Sequence, residues 1–208
     1  VGQLISLTER IAQREGQREH ERQWAALGPA TFFFTLDCPL SYLLAERVER
    51  DLGEIAWAPV LATRDRRCRR ERLERARAVA IARRLPLVEP ENYPSDARPV
   101  SRAARFASEQ NGCGGAFALG ALRLAFAGGF DLADPEFIAE AAAAAGISVD
   151  GALKASADAS LDHALRLTAS GLRSCGIIEA PVIRVAGGWL SGVDALGSVS
   201  VSVAARHS

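Results

Sequence analysis

The chain has 208 residues, 49% apolar and 24% charged, with 25 Lys+Arg against 25 Asp+Glu and three His. That length allows a well-buried core in one domain with room for an insertion. The balanced charge gives no electrostatic reason to expect nucleic acid or an anionic membrane as partner, so a small or overall neutral partner is predicted.

No run of 18 or more apolar residues occurs, and no basic segment with an apolar core stands at the start. Neither a membrane span nor a secretory signal is therefore predicted, and a cytoplasmic protein is expected. Cys38, Cys68, Cys113 and Cys175 lie far apart with no CxxC pair. This spacing argues against a zinc site and against a secreted disulfide framework, and no metal is expected.

Residues 1–28 offer a short apolar face in Leu4, Ile5, Leu7 and Ile11, followed by an almost wholly polar stretch that reads as solvated helix and carries His20. Thr31-Phe32-Phe33-Phe34-Thr35-Leu36 then reads as a strand. It meets Asp37-Cys38-Pro39, after which Leu43, Leu44, Val48 and Leu52 fall on one helical face. Proline suits the first helical position because its missing N–H would have no partner there. Cys38 is thereby placed at a helix N-terminus, where unpaired N–H groups and the positive end of the dipole favour thiolate, so an acidic, reactive cysteine is predicted. A buried structural cysteine is the alternative, and the Cys-Pro pair at a strand-to-helix junction favours the reactive one.

Gly53 offers a helix stop, and Ile55-Ala56-Trp57-Ala58-Pro59-Val60-Leu61 reads as a second strand, completing a right-handed parallel βαβ unit. Residues 64–84 hold ten Arg against Asp65, Glu71 and Glu74. Leu73, Ala76, Val79, Ala80 and Arg83 trace one face there, and the acids can pair with Arg a turn away, so a solvated helix is predicted over a phosphate-binding patch. Cys68, among these arginines, is a secondary redox candidate. Residues 85–96 form a proline-rich loop. From 100 to 174 the sequence is Ala-rich and helical in period, broken at Gly112, Gly128-Gly129 and Gly146, with Asp131 and Asp134 before Pro135, and Ser148 or Asp150, as caps. The small residues around Gly115 and Gly120 suit close helix packing, and His163 lacks the neighbours of a catalytic base. Residues 182–185 and 189–191 flank Gly187-Gly188 as a hairpin, and Asp194 can cap a last helix.

Three segments carry a resemblance. Cys38-Pro39-Leu40-Ser41 after the Phe-rich strand resembles the active-site turn of the DsbA-like branch of the thioredoxin superfamily. That branch includes disulfide oxidoreductases with Cys-Pro-x-Cys, and 2-hydroxychromene-2-carboxylate isomerases and kappa-class glutathione transferases with Ser-Pro-x-Ser. Here the first position is the oxidoreductase's and the fourth the isomerase's. Glu179-Ala180-Pro181-Val182 is similar to the segment whose proline is cis and faces that turn, the backbone before it pairing with an extended thiol substrate. Gly192-Val193-Asp194-Ala195-Leu196 is similar to the Gly-x-Asp-x-Leu segment whose aspartate contacts the γ-glutamyl end of glutathione. In the isomerase branch an asparagine on a loop like 85–96 helps to hold glutathione, which implies a binding role for Asn92 beside the plain reading of a connecting loop.

The resemblance implies an α/β, thioredoxin-like fold, a split βαβ and ββα core with a large all-helical insertion. Its divisions would be 1–29, an N-terminal helical extension; 30–62 and 176–208, the core; and 63–175, the insertion. Cys38 and Ser41 are the expected catalytic pair, with Pro39, Asn92, Ala180, Pro181 and Asp194 at the binding site. The expected partners are glutathione or another low-molecular-weight thiol and an electrophilic or disulfide substrate, with homodimerisation left open. The expected function is an isomerase or transferase linked to such a thiol, or a monothiol disulfide oxidoreductase. Ser41 cannot resolve a mixed disulfide as a second cysteine does, so a second thiol molecule must; Cys113 or Cys175 would serve only if folding brought one to Cys38. The alternative is a non-catalytic module that recognises an extended peptide or partner beside Pro181 by strand pairing.

Overall fold

The structure, a computed structural model, describes residues 7–25, 30–61, 66–110, 112–186 and 188–191. Asp194 and its Gly-x-Asp-x-Leu segment lie outside the described residues, as do Gly187 and the Cys68 side chain. A first helix, α1 (Leu7–Ala25), leads to β1 (Thr31–Phe34), α2 (Pro39–Leu52) and β2 (Ala56–Pro59). Six more helices follow: α3 (Arg66–Arg83), α4 (Arg98–Ser108), α5 (Gly114–Phe126), α6 (Pro135–Ala144), α7 (Val149–Ala157) and α8 (Leu161–Ser174). The hairpin β3 (Val182–Val185) and β4 (Gly188–Ser191) ends the described chain.

The sheet runs in the order β2-β1-β3-β4. β1 pairs parallel with β2 and antiparallel with β3, which pairs antiparallel with β4. Alternation along β1 decides which face each phenylalanine serves. Phe32 and Phe34 face the main core with α2 and the helical insertion, and both touch Trp57 edge to face, at ring-centroid distances of 5.0 and 5.7 Å. Phe33 points the other way, into a smaller core with Trp24, Val60, Leu172 and Val182. Burying each of these rings contributes about 2 kcal/mol relative to exposure.

The elements form for local reasons that the residues state. α2 starts on Pro39, buries Leu43, Leu44 and Val48, and stops at Gly53, whose φ of 73° needs glycine and whose N–H donates to the Glu49 carbonyl at 2.8 Å. α3 buries Leu73, Ala76 and Ala80 and turns Arg70, Arg75 and Arg77 outward; Arg77 pairs with Glu74 at 2.6 Å, as expected of a solvated helix. Asp134 caps α6 by accepting from the Glu136 N–H, and Ser148 caps α7 by accepting from the Gly151 N–H.

Two features depart from the expectation. α1 is fastened by Trp24, which meets Phe33 and Trp189 and whose carbonyl accepts from Arg184 at 2.7 Å; of the expected apolar face, Leu4, Ile5 and the Leu7 side chain lie outside the described residues and Ile11 is exposed. The stretch from 149 to 174 is two helices: Asp158 Oδ1 accepts from the Ser160 N–H at 2.9 Å, a turn that competes with helical hydrogen bonding and needs no glycine. Among the described residues no helix is long and apolar enough to cross a membrane.

Candidate active site

The site is built where β1 ends. Cys38 is the N-cap of α2, with extended φ −122° and ψ 115°, and Pro39 takes the first turn. The Cys38 carbonyl accepts from the N–H groups of Ser41, at 2.9 Å, and Tyr42, at 3.4 Å. Ser41 Oγ accepts from the Thr35 N–H at 3.2 Å, tying the fourth residue of the turn back to the strand end. Cys38 and Ser41 have no exposed surface.

That enclosure reverses the expected acidity. Burial is the largest influence on the Cys38 thiol and pushes its pKa up; the Arg72 guanidinium and the Ser41 and Leu40 N–H groups pull it down, and Asp37 adds to the rise. The helix N-terminus acts as foreseen, but desolvation of the charged form outweighs it.

Pro181 reaches the same place through the sheet. Phe33 is opposite Val182 and Phe32 opposite Ile183, so the antiparallel register carried beyond the ladder sets Pro181 beside Phe34 and Ala180 beside Thr35. The Ala180–Pro181 peptide is cis. A shallow cleft with a cavity volume of about 30 Å³ opens here, its polar lining being Thr35, Arg72, Arg173 and Glu179, with Ala180, Val60, Leu61 and Leu172 among its apolar wall. Thr35 Oγ1 is buried without a hydrogen-bond partner. Arg72 pairs with Glu179 at 3.0 Å; the arginine side chain is 13% exposed and the glutamate 56%.

The loop after α3 also touches the turn. The Tyr93 hydroxyl donates to the Asp37 carbonyl at 3.2 Å, and its ring meets Phe126 edge to face. Asn92 stands next to it at φ 56° and donates from Nδ2 to Asp131 Oδ2 at 2.9 Å, on the exposed side of the loop. Tyr42, under the turn, is pushed up to about 12 by burial, Glu46 adding to the rise and Arg123 opposing it, so its phenol stays neutral at physiological pH. Cys113 caps the N-terminus of α5 and Cys175 the C-terminus of α8, both half-buried. Among the described residues no three metal-ligating side chains converge.

Of the residues singled out from the sequence, Cys38, Pro39 and Ser41 share one turn, and the β1–β3 register sets Ala180 and Pro181 beside the strand that leads into it. Thr35, Arg72, Glu179 and Tyr93 were not singled out. Arg72 reads as one more member of an arginine run, and only the packing of α3 on α2 brings it to the cysteine.

No family model and no curated protein matches the chain. Solved structures do. A 2-hydroxychromene-2-carboxylate isomerase superposes with a TM-score of 0.70 at 14% identity, over 85% of this chain and 95% of that one. A proposed protein disulfide isomerase from Nitrosomonas europaea gives 0.65 at 15% identity, over 87% and 100%. A proposed DsbA oxidoreductase from Streptomyces coelicolor gives 0.62 at 17% identity, over 85% and 88%. The chain therefore has a thioredoxin-like fold with a helical insertion. That fold is the one shared by these three solved structures.

Proposed function

We propose that the protein is a thiol enzyme in which Cys38 exchanges with low-molecular-weight disulfides such as glutathione disulfide. The observation that carries this reading is the cysteine's position: an N-cap thiol at the end of β1, the strand that pairs with the segment after cis-Pro181, with serine, not cysteine, three residues on. Exchange then takes two bimolecular steps. The Cys38 thiolate, its proton lost to water, attacks one sulfur of the disulfide; a Cys38 S–S bond forms, the old S–S bond breaks, and one thiolate leaves. A second small thiolate then attacks the mixed disulfide, releases Cys38 and carries the other half away as disulfide. The cleft's groups suit a glutathione-type partner, which bears two carboxylates and an ammonium: Arg72 and Arg173 supply positive charge, Glu179 negative charge, and Thr35 an unused buried hydroxyl.

The test is Cys38→Ser. It is expected to abolish exchange with glutathione disulfide while the circular dichroism spectrum is kept, and undiminished exchange would overturn the assignment.

A second reading is favoured by Ser41, which occupies the isomerase's serine position and whose hydroxyl proton is left to donate while its oxygen accepts from Thr35. In that reading a bound thiol supplies the nucleophile for isomerisation of, or transfer to, an electrophile, Ser41 orients it, and Cys38→Ser retains turnover of electrophiles. The non-catalytic reading, a peptide paired beside Pro181, requires that alkylating Cys38 leave partner binding unchanged.

A further inference from the structure

A second and larger cavity, of about 290 Å³, lies between the second half of α2 and the end of α3, walled by Glu46, Arg47, Arg50, Arg83 and Leu85. No residue of the thiol turn lines it. At about 1.5 Å per residue, Arg47 and Arg50 stand roughly 12–17 Å along α2 from Pro39.

The charges on these walls do not cancel. Glu46 is taken by Arg123, which donates from Nε and Nη2 to its two carboxylate oxygens at 2.7 and 2.8 Å. That removes the acid that would pair with Arg50 one helical turn on. Arg50 leans instead on Asp51, donating from Nε at 3.3 Å, and among the described residues its two Nη groups hydrogen-bond to nothing. Arg47 draws on the same carboxylate. Its Nη2 lies 2.6 Å from Asp51 Oδ2 without the alignment of a hydrogen bond, and its Nε is buried without a hydrogen-bond partner. Two guanidinium groups thus share one carboxylate, which leaves positive charge over at the wall, and α3 adds a third guanidinium in Arg83.

We propose that this cavity binds a small organic phosphate, its phosphate group held by Arg47, Arg50 and Arg83 and its carbon skeleton set against Leu85. Arginine forks with donors to spare suit oxyanions, and the planar fork can bind two oxygens at once. Three guanidinium groups match the three terminal oxygens of a phosphate monoester, whereas a carboxylate offers two. Leu85 supplies the apolar wall that an organic ligand needs, and the volume lies near the lower end of the range for small-molecule sites. The site is separate from the thiol turn and stands whatever chemistry Cys38 performs.

The experiment is a calorimetric titration of the full chain with phenyl phosphate in a phosphate-free buffer of low ionic strength, where charge contacts are least screened. Saturable binding at one site is expected. Arg50→Gln, at an exposed position where folding is not at stake, is expected to weaken it about tenfold, the worth of one charge-assisted hydrogen bond. Arg47→Gln is expected to act in the same direction. Arg75→Gln removes the same charge from an exposed position on α3 outside the cavity and is expected to keep the parent's affinity. Benzoate, with the same ring and one oxygen fewer to hold, is expected to bind about tenfold more weakly than phenyl phosphate.

No saturable binding by the parent, or parent-like affinity in Arg50→Gln, would overturn the site. An equal loss in Arg75→Gln would overturn it as well, because the attraction would then belong to the surface at large. Benzoate binding as tightly as phenyl phosphate would overturn the choice of phosphate. None of these outcomes depends on disulfide exchange at Cys38.

Discussion

Arg102 and Asp162, sixty residues apart, meet with almost no water around them. Arg102 donates from Nε to Asp162 Oδ1 at 2.6 Å and from Nη2 to Oδ2 at 3.1 Å, while its Nη1 donates to the Ser156 carbonyl. This is a bidentate pair with 13% and 12% side-chain exposure, and it ties α4 to α8. The hydrogen bond from Arg102 holds the Asp162 carboxyl below the usual carboxylate range, its charge and that of Arg166 adding to the effect and burial opposing it. Because the folded pKa is depressed, the pair's stabilisation is fully present above the unfolded value of about 3.9 and is lost as pH falls through the lower folded value. Asp162→Asn leaves the guanidinium uncompensated and is expected to cost on the order of 3 kcal/mol at pH 7 in urea unfolding. The gap between variant and parent should narrow as the pH falls below about 4; a gap that stays constant would mean that packing, not charge, carries the effect. At this scale the sequence was a partial guide. Cys38 was legible because Cys-Pro after a strand has a local geometry, but its final acidity was not, since burial depends on segments that close over it from elsewhere in the chain.

Helix α5 shows what one missing methyl group does for an element. A Cβ on Gly115 would come within 2.7 Å of Trp57 Nε1 and 3.0 Å of Glu49 Oε1, so the absence of a side chain lets α5 lie against β2 and α2. Gly120, half-way along the same helix, has nothing within 4 Å of the corresponding position. The two glycines, alike in the sequence, should therefore respond to alanine with opposite signs. Gly115→Ala is expected to destabilise by about 1–3 kcal/mol through overpacking, and Gly120→Ala to stabilise by up to about 1 kcal/mol through helix propensity; thermal unfolding of both checks the pair. Most element boundaries were readable, because Gly53, Asp134 and Ser148 mark ends by chemistry that acts within a few residues. The gap between α7 and α8 was not, because Asp158 and Ser160 close it without a glycine or proline to announce it. Trp24 was missed for a different reason: one aromatic residue at the end of a polar helix makes no periodic pattern, and its partners Phe33 and Trp189 are distant in sequence.

For the molecule as a whole, strand order decides what meets what. With β1 between β2 and β3, the turn after β1 lies between the strand that leads away to the helices and the one that returns from them. The chain from α3 to α8 leaves and rejoins the sheet there, and α4 and α5 pack on β2 while α5 packs on α2. Local pattern supplied the βαβ unit and the hairpin, and the family resemblance supplied their joining into one sheet; periodicity alone carries no information on which distant strands pair. The same limit hid the cleft, whose polar groups come from four separate stretches of chain.

The complete enclosure of Cys38 has a kinetic consequence. A sulfur with no solvent contact must wait for the surrounding segments to part before any reagent reaches it. At low reagent concentration that opening is a rapid pre-equilibrium, and the rate rises in proportion to the reagent; at high concentration every opening ends in capture and the rate levels off. The plateau then measures the protein and not the chemistry. Iodoacetamide and a faster maleimide should reach the same ceiling at different concentrations, as followed by quenched mass spectrometry of the Cys38 peptide. Rates that stay linear for both would mean that the thiol is reached without any such opening. If the ceiling holds, the turnover of any substrate at Cys38 is bounded by how often the turn, the Tyr93 loop and the Glu179 segment separate.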